Sequence, residues 1–332
     1  MHMSDALVSP TVGGLMIVVS AGLIAYSVAK SKNLVDDKKI PMMGVMAALI
    51  FAGQMINFTI PGTGSSGHIG GGILLAATLG GPPAFLCISA VLLIQCFFFA
   101  DGGMLALGCN IFNMGFWPIF IAYPLIFKPI LKKGITKPRL MVASVVSVIV
   151  ALQLGAFSVV LQTLAAGVTS LPFSTFLLLM QPIHLAIGLV EGLVTGAILC
   201  FIQAARPEIL DAAGSNQQIG SGVSIKKIVI ILLCATIIIG GGLSLLASQY
   251  PDGLEWSIAK ITGSTEMENP NGTDKLQENT AVMPDYSDAA GSTGGSITAG
   301  IVGSALTLAI AGAAGGVVYL VKRKKKGAEK EE

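Results

Sequence analysis

The sequence predicts an all-α polytopic membrane protein with about nine transmembrane helices. Three observations predict it. Hydrophobic residues make up 53% of the 332-residue chain and charged residues only 11%, less than half of the roughly 25% found in soluble domains, and mean hydropathy is +0.78. Apolar stretches recur at about the 20-residue length that crosses a bilayer. Basic residues collect in alternate loops, as they do on the cytoplasmic side of membrane proteins. Lipid offers the backbone no hydrogen-bond partner, and the stretches are too long and evenly apolar for barrel strands, so each reads as a helix.

The apolar runs lie at roughly 12–29, 41–58, 68–80, 82–100, 104–127, 140–166, 174–204, 226–248 and 298–321. The third is short and glycine-rich, and its crossing is predicted from charge. Lys30, Lys32, Lys38 and Lys39 follow the first run. Lys128, Lys132, Lys133, Lys137 and Arg139 follow the fifth, and Arg206, Lys226 and Lys227 the seventh. Lys322, Arg323, Lys324, Lys325, Lys326 and Lys330 form the tail. Eighteen of the twenty basic residues thus share one side only if the third run crosses. That side is cytoplasmic and faces the anionic inner leaflet, so the N-terminus is expected outside and the C-terminus inside. These are orientation charges, and they give no reason to expect a nucleic-acid partner.

The first ten residues, MHMSDALVSP, carry no basic n-region and do not read as a cleaved signal. Met1 is expected to be retained ahead of the bulky His2. The five cysteines, Cys87, Cys96, Cys109, Cys200 and Cys234, lie in apolar runs without CxxC spacing. They read as small core residues rather than a disulfide or zinc framework.

Three segments follow from these patterns. Residues 1–204 hold seven crossings with short loops. Residues 205–225 are polar and read as a flexible cytoplasmic linker. Residues 226–332 hold two helices around an outer loop at about 249–297. That loop carries Asp252, Glu255, Glu266, Glu268, Asp274, Glu278, Asp285 and Asp288 against Lys260 and Lys275, and its composition predicts partial disorder.

Candidate site residues begin with the three histidines, His2, His68 and His184. A free α-amine at Met1, the amide nitrogen of His2 and its imidazole can chelate one metal through fused small rings. His68, at the outer mouth of the third run, offers a fourth nitrogen, and four nitrogens in a plane suit Ni²⁺ or Cu²⁺. The competing reading makes His2 a solvated terminal residue and His68 a helix cap. Asp5 and Asp101 fall on the same side, either orienting a histidine or capping helices at the interface. Asn110 and Asn113 share one helix face, as ties to neighbouring helices or as orienters of ligands. His184 and Glu191 lie deep in the seventh run, about 10 Å apart along one face. They read either as a gate that couples closure to release or as a hydrogen-bonded pair tying helices together. Ser66, in GSSGH, belongs to the same neighbourhood. With His184 it superficially suggests an intramembrane serine hydrolase, but it lies at the mouth rather than within the membrane. The sequence has no GxxxxGK[ST] pattern, so active transport would need an ATPase in trans.

The start MHMSDALVSP, the segment GSSGHIGGGILLA, the stretch FFADGGMLALGCNIFNMG and HLAIGLVEGL together resemble the CbiM/NikM family over roughly residues 1–204. These are the cobalt and nickel substrate-binding components of energy-coupling-factor transporters. PDGLEW at 251–256 and PDYS at 284–287 resemble the PDGLE region of the small CbiN/NikN partner, which makes 205–225 a fusion joint. The resemblance implies a seven-helix S-component bundle plus a two-helix module in a prokaryotic inner membrane. It implies that Met1 (amine), His2 (amide and imidazole) and His68 (imidazole) bind the metal. It further implies a transmembrane coupling (T) component and two cytoplasmic ATPases as partners, and uptake for cobalamin synthesis or nickel enzymes. No enzyme activity and no resident cofactor are expected, Ni²⁺ or Co²⁺ being the cargo. Family members more often begin MHI with an Asp-Gly or Glu-Gly pair. Met3 and Asp5-Ala6 here depart from that start but remove no ligand. The alternative is a stand-alone channel or secondary carrier, whose cations the acidic outer loop would concentrate.

Overall fold

The computed structural model describes residues 1–220, 222–265, 267–287 and 293–328; Glu266, Asp288 and Lys330 lie outside them. In chain order the elements are α1 (Pro10–Ser31), α2 (Lys39–Gln54), a hairpin of β1 (Phe58–Ile60) and β2 (Ser65–Gly67), α3 (Gly72–Leu79), α4 (Gly81–Phe99), α5 (Leu107–Leu131), α6 (Lys137–Ala166) and α7 (Phe173–Ala205). After these come α8 (Pro207–Gly214), α9 (Lys226–Gly241), α10 (Gly253–Thr262), α11 (Thr273–Thr280) and α12 (Thr293–Ala328). The chain is all-α and polytopic, as its composition predicts. Local chemistry sets several starts. Ser9 caps α1 ahead of Pro10, and Thr136 caps α6 ahead of Pro138. Pro118 and Pro124 sit inside α5, and the Phe112–Phe127 stretch winds as a π-helix, the wider ladder accommodating residues that lack an amide donor.

Among the described residues, six helices are long and apolar enough to cross a membrane: α1, α4, α5, α6, α7 and α12. The other three predicted crossings are shorter. Helices α2 and α9 have 16 residues each, and α3 has eight, about 12 Å of helix. The third run is interrupted for a visible reason. Gly71 has φ +79°, and a Cβ there would sit 2.4 Å from Ile50 Cδ1, so neither the backbone nor the space admits another residue. The stretch is completed by irregular chain at His68–Gly71 followed by α3, whose eight residues are all buried. Non-helical backbone at this depth is tolerated where protein rather than lipid surrounds it.

The two ends of the bundle differ. At one end Lys38 Nζ donates to the carbonyls of Gly220 and Val223 at 2.6 Å each, the buried Lys39 donates to Gln217 O at 2.7 Å, and Arg206 Nε donates to Ser224 O at 2.8 Å. Gly80, at the end of α3, lies beside Asn216 and Ala213, and Gly315 of α12 lies against Ile40. Gln203 Nε2 of α7 donates to Ile135 O in the loop after α5, so the basic loops after α1, α5 and α7 gather with the later part of α12. The opposite end holds Met1, the hairpin and α10.

One expectation is corrected. Residues 205–225, predicted as a flexible linker, carry α8 with Ile209, Leu210, Ala212 and Ala213 buried, and α8 packs on α3. Among its described residues the outer loop carries α10, α11 and a 3-10 turn at Pro284–Tyr286; Glu266 and Asp288, part of the stretch expected to be partly disordered, lie outside them. Several of the loop's polar side chains bond to the bundle mouth, Asn271 to Val8, Thr273 to Asp5, Gln277 to Gly102 and Tyr286 to Asp101.

Helices α2, α9 and α12 pack together through small residues. A Cβ on Gly300 of α12 would lie 2.1 Å from Gly240 O of α9. Gly300→Ala is therefore expected to wedge α9 from α12 at a cost of about 1–3 kcal/mol. Thermal unfolding in detergent should register this as a lower midpoint, while Gly14→Ala, where nothing lies within 4 Å, should leave it unchanged.

Candidate metal site at the bundle mouth

The N-terminal strand is held by side chains from α5 and the loop before it. Asn110 grips residue 3 from both sides. Its Oδ1 accepts from Met3 N at 2.8 Å, and its Nδ2 donates to Met3 O at 3.1 Å. Gly103 N also donates to Met3 O at 2.9 Å. Asp5 Oδ1 accepts from Ala106 N at 2.9 Å, and Thr273 Oγ1 of α11 donates to Asp5 Oδ2. Asp101 Oδ1 lies 3.2 Å from His2 Nδ1, and Tyr286 donates its hydroxyl hydrogen to Asp101 Oδ2. Asn110 and Asp101 thus act on the terminus and His2, whereas Asp5 fixes the turn and touches no histidine. Asn113 does not reach a histidine either. It exchanges two hydrogen bonds with Gln162 of α6, at 2.7 and 3.0 Å.

These restraints aim Met1 N into the mouth, where it meets two partners. His68 Nε2 is 3.0 Å away and Asp252 Oδ2 is 2.5 Å away. The tautomer of His68 follows from its other nitrogen. Nδ1 lies 3.1 Å from Ile69 O, and a carbonyl only accepts, so Nδ1 carries the hydrogen. Nε2 then presents a lone pair, the form a metal ligand needs. The His2 ring stacks on His68 with centroids 5.1 Å apart and planes inclined by 16°. Its Nδ1 faces Asp101, so rotation about Cβ–Cγ is needed before that nitrogen and the His2 amide can share one ion. Burial lowers the His2 pKa despite the nearby Asp101 carboxylate, so the ring is neutral near pH 7. Among the described residues no group of three or more His, Cys, Asp or Glu side chains is placed to hold a metal. The available donor set is one of four nitrogens, two of them from the backbone of residues 1 and 2.

Asp252 is the residue that sequence reading missed, counting it only as one of the acids in the loop. It caps α10, accepting from Leu254 N at 2.8 Å and Glu255 N at 2.9 Å, while Glu255 accepts from Asp252 N at 3.0 Å. That capping box points the other carboxylate oxygen at Met1 N. Burial alone would raise the Asp252 pKa, but the ammonium and His68 outweigh it and hold the carboxyl well below its ordinary value. Other bonds close the lid. Ser66 Oγ donates to Tyr250 O at 2.7 Å, Asn271 Nδ2 donates to Val8 O at 3.1 Å, and Gln277 Nε2 donates to Gly102 O at 2.7 Å.

Beneath the amine lies a cavity of about 40 Å³, room for a water or a small ion, lined among others by Met1, His68, Asn113, His184, Glu191 and Asp252. His184 and Glu191 share this wall but do not bond to each other. His184 Nδ1 donates to Met180 O at 2.8 Å, and Glu191 Oε1 accepts from Gly71 N at 2.8 Å. Of the two roles expected for them, tying helix to neighbour is met by Glu191, which ties α7 to the chain before α3, whereas His184 bonds within its own helix. The Ser66–His184 dyad also fails. Ser66 Oγ bonds to Tyr250 O and Pro251 O, and among the described residues His184 Nε2 meets no hydrogen-bond partner, whereas a nucleophile needs its base within hydrogen-bond reach.

Comparison with known proteins adds the following. The family model of the cobalt uptake substrate-specific transmembrane region matches residues 2–209, and that of the PDGLE domain matches residues 226–323. A putative fused nickel transport protein NikMN from Archaeoglobus fulgidus is 29% identical over 93% of this chain and 96% of its own length. A putative metal transport protein from Haloquadratum walsbyi is 32% identical over 68% of this chain and all of its own. The crystal structure of a transition metal transporter aligns with a TM-score of 0.54 at 29% identity, over 62% of this chain and 93% of that one. The matched families are metal transporters, not enzymes.

Asp252→Asn removes the charge that holds the ammonium but keeps a good helix N-cap. Breaking this largely buried pair is expected to loosen the lid without unwinding α10. Hydrogen exchange at Gly253–Thr262 should accelerate about tenfold or more, with α4 and α6 unaffected.

Proposed function

The chain belongs to the family of the cobalt uptake substrate-specific transmembrane region, membrane components of cobalt or nickel transport, and on that premise we propose that it captures Ni²⁺ or Co²⁺ at its outer mouth as the substrate-binding component of an energy-coupling-factor transporter. The donors are the Met1 amine, the His2 amide and imidazole, and His68 Nε2. The observation that carries the reading is the 3.0 Å approach of Met1 N to His68 Nε2. Two nitrogens that distant in sequence meet with the imidazole lone pair aimed at the amine. The proton between them occupies the place that a cation takes.

Capture is then an exchange of protons for metal. The amine gives up its ammonium proton and the His2 amide its own, the His2 ring turns from Asp101, and the cation binds four nitrogens. Asp252 loses its ammonium partner and becomes a counter-charge beside the site. Because α10 and α11 cover the mouth, the ion enters with the lid displaced. Planar nitrogen ligation favours Ni²⁺ over Co²⁺. The gathering of the basic loops at the far end supports an outer mouth and a cytoplasmic C-terminus. The lack of a nucleotide-binding GxxxxGK[ST] pattern supports a separate coupling membrane protein and two ATPases as the energy source.

Titration of untagged protein whose intact mass confirms a start at Met1 tests the site. Stoichiometric Ni²⁺ binding with the absorption of a planar four-nitrogen complex is expected. His68→Ala should weaken it by about a hundredfold or more, since removing even a supporting residue costs 10–100-fold, and two residues added before Met1 should abolish the planar spectrum. Ni²⁺ retained at full affinity by the extended chain would sink the chelate. A stand-alone carrier would instead sustain uptake without ATPase partners. Acid competes for the same nitrogens. Affinity should therefore fall about tenfold to a hundredfold per unit of pH as one or two protons are displaced, and the His2 ring, its pKa lowered by burial, should not set the upper limb.

A further inference from the structure

The two imidazoles of the capture site differ in readiness. His68 already has the ligating tautomer, with its hydrogen held on Nδ1 by Ile69 O and its Nε2 lone pair free. His2 does not. Its Nδ1 is the nitrogen that can join the His2 amide in one chelate ring, and it faces Asp101 Oδ1 at 3.2 Å. A carboxylate only accepts, so Nδ1 carries the hydrogen of the neutral ring. Nε2 then carries the lone pair, and among the described residues it is buried without a hydrogen-bond partner.

A second orphan lies beside it. Gln95 of α4 is fully buried, its side chain reaches the His2 ring, and its Oε1 meets no partner among the described residues. The orientation of that amide follows from a chain of bonds ending on an atom of known role. Gly70 O can only accept, so the Gln54 atom 3.0 Å from it is the amide nitrogen. Gln54 Oε1 is therefore the acceptor at the other end, and the Gln95 atom 2.8 Å from it is Nε2. What Gln95 has left for the ring is its oxygen. An amide oxygen and an imidazole lone pair both accept, so neither satisfies the other. Buried polar atoms are nearly always paired, and an exception points to a functional role.

We propose that Gln95 is a positioning residue for metal capture: its Oε1 accepts the hydrogen that His2 must carry on Nε2 once Nδ1 holds the cation. The proposal rests on the capture reading above. On capture the ring turns from Asp101, Nδ1 gives its hydrogen to water and Nε2 takes one from water. The ring stays neutral, and two opposed lone pairs become a donor and an acceptor. That bond belongs to the loaded site alone, so it acts wholly as differential affinity for the loaded state. Ligating histidines commonly donate their second ring N–H to a partner that fixes the ring and raises its basicity. Ile69 O does this for His68, and Gln95 supplies it for His2.

Gln95 also ties Gln54 to the chain that leads to Gly70, and the two roles must be separated. Gln95→Met removes the acceptor, whereas Gln54→Met cuts the chain of amides and leaves Gln95 Oε1 in place. Each untagged variant is titrated with Ni²⁺ and then studied by NMR with ¹⁵N-labelled histidine, a planar four-nitrogen Ni²⁺ complex being diamagnetic. Only three histidines contribute. His68 and His184 hold their hydrogens on Nδ1, so an Nε2–H signal identifies His2. The unsubstituted protein should show that signal in slow exchange with water. Gln95→Met should keep the planar spectrum, which also reports folding, and lose the slow exchange. Its affinity should fall about tenfold to a hundredfold, as on removing other residues that support a ligand. Gln95→Glu, which keeps an oxygen toward the ring, should restore the signal, and Gln54→Met should retain it. Unchanged affinity and an unchanged Nε2–H signal in Gln95→Met overturn the proposal. So does an equal loss of affinity in Gln54→Met and Gln95→Met with the signal intact in both, since Gln95 would then act through Gly70 and His68. Loss of the planar spectrum in both Gln95→Met and Gln95→Glu overturns it as well, because Gln95 would then shape the whole ligand set. Failure of the unsubstituted protein to give the planar complex sinks the capture reading, and is told apart by that first titration.

Discussion

An ammonium group placed among side chains at the mouth of a membrane bundle needs a counter-charge, and Asp252 supplies it at 2.5 Å. Both groups are largely removed from water, with 9% and 13% of their side chains exposed. An unpaired charge there is costly, so the two must dock together. One partner is the first residue and the other belongs to the PDGLE-matched module. The contact therefore binds the two modules at the site itself, not only along their helices. It also gives the mouth a defined closed arrangement, in which the ammonium and the carboxylate neutralise each other.

The rest of the mouth follows from keeping that amine in place. Residue 3 is gripped by Asn110, and Gly103 approaches so closely that a Cβ would lie 1.8 Å from Asp5 Oδ1. Asp101 holds the His2 ring on one side and Tyr286 on the other. The site wall is completed by chain that leaves helical geometry. Gln54 Nε2 donates to Gly70 O at 3.0 Å and Gln95 Nε2 donates to Gln54 Oε1 at 2.8 Å, while Glu191 accepts from Gly71 N. These amides and this carboxylate satisfy backbone that α3 has not yet taken into its own ladder. The break in the third run and the polar residues of α2, α4 and α7 are parts of one arrangement.

The lid works by the same economy of groups. Its helix α10 begins at the residue that binds the amine, so the capping box and the ion pair share one carboxylate. The α10 N-terminus and the ammonium therefore depend on the same side chain. The cavity below is lined by Asn113, His184 and Glu191 as well as by apolar residues such as Ile73, Met114, Pro118, Val148 and Ala151.

The sequence by itself determined the class of the chain and the chemistry of its ends. Hydropathy and the sidedness of basic residues depend on the solvent and need no partner, so six of the nine predicted crossings and the gathering of lysines at one end were legible. Met1, His2 and His68 stood out because histidine is scarce here, and an amine followed by histidine is a local chelating pattern. Only the tertiary structure decided that Asp252, 251 positions from Met1, completes the mouth, that the described residues of the polar outer loop form α10 and α11, that Pro207–Gly214 within 205–225 fold as α8, and that Ser66 bonds to Tyr250 and Pro251 rather than His184. Those outcomes depend on which polar groups meet across the fold. A residue that bonds to a distant backbone or to the terminus leaves no periodicity in its own neighbourhood, and its burial comes from surfaces contributed by other segments.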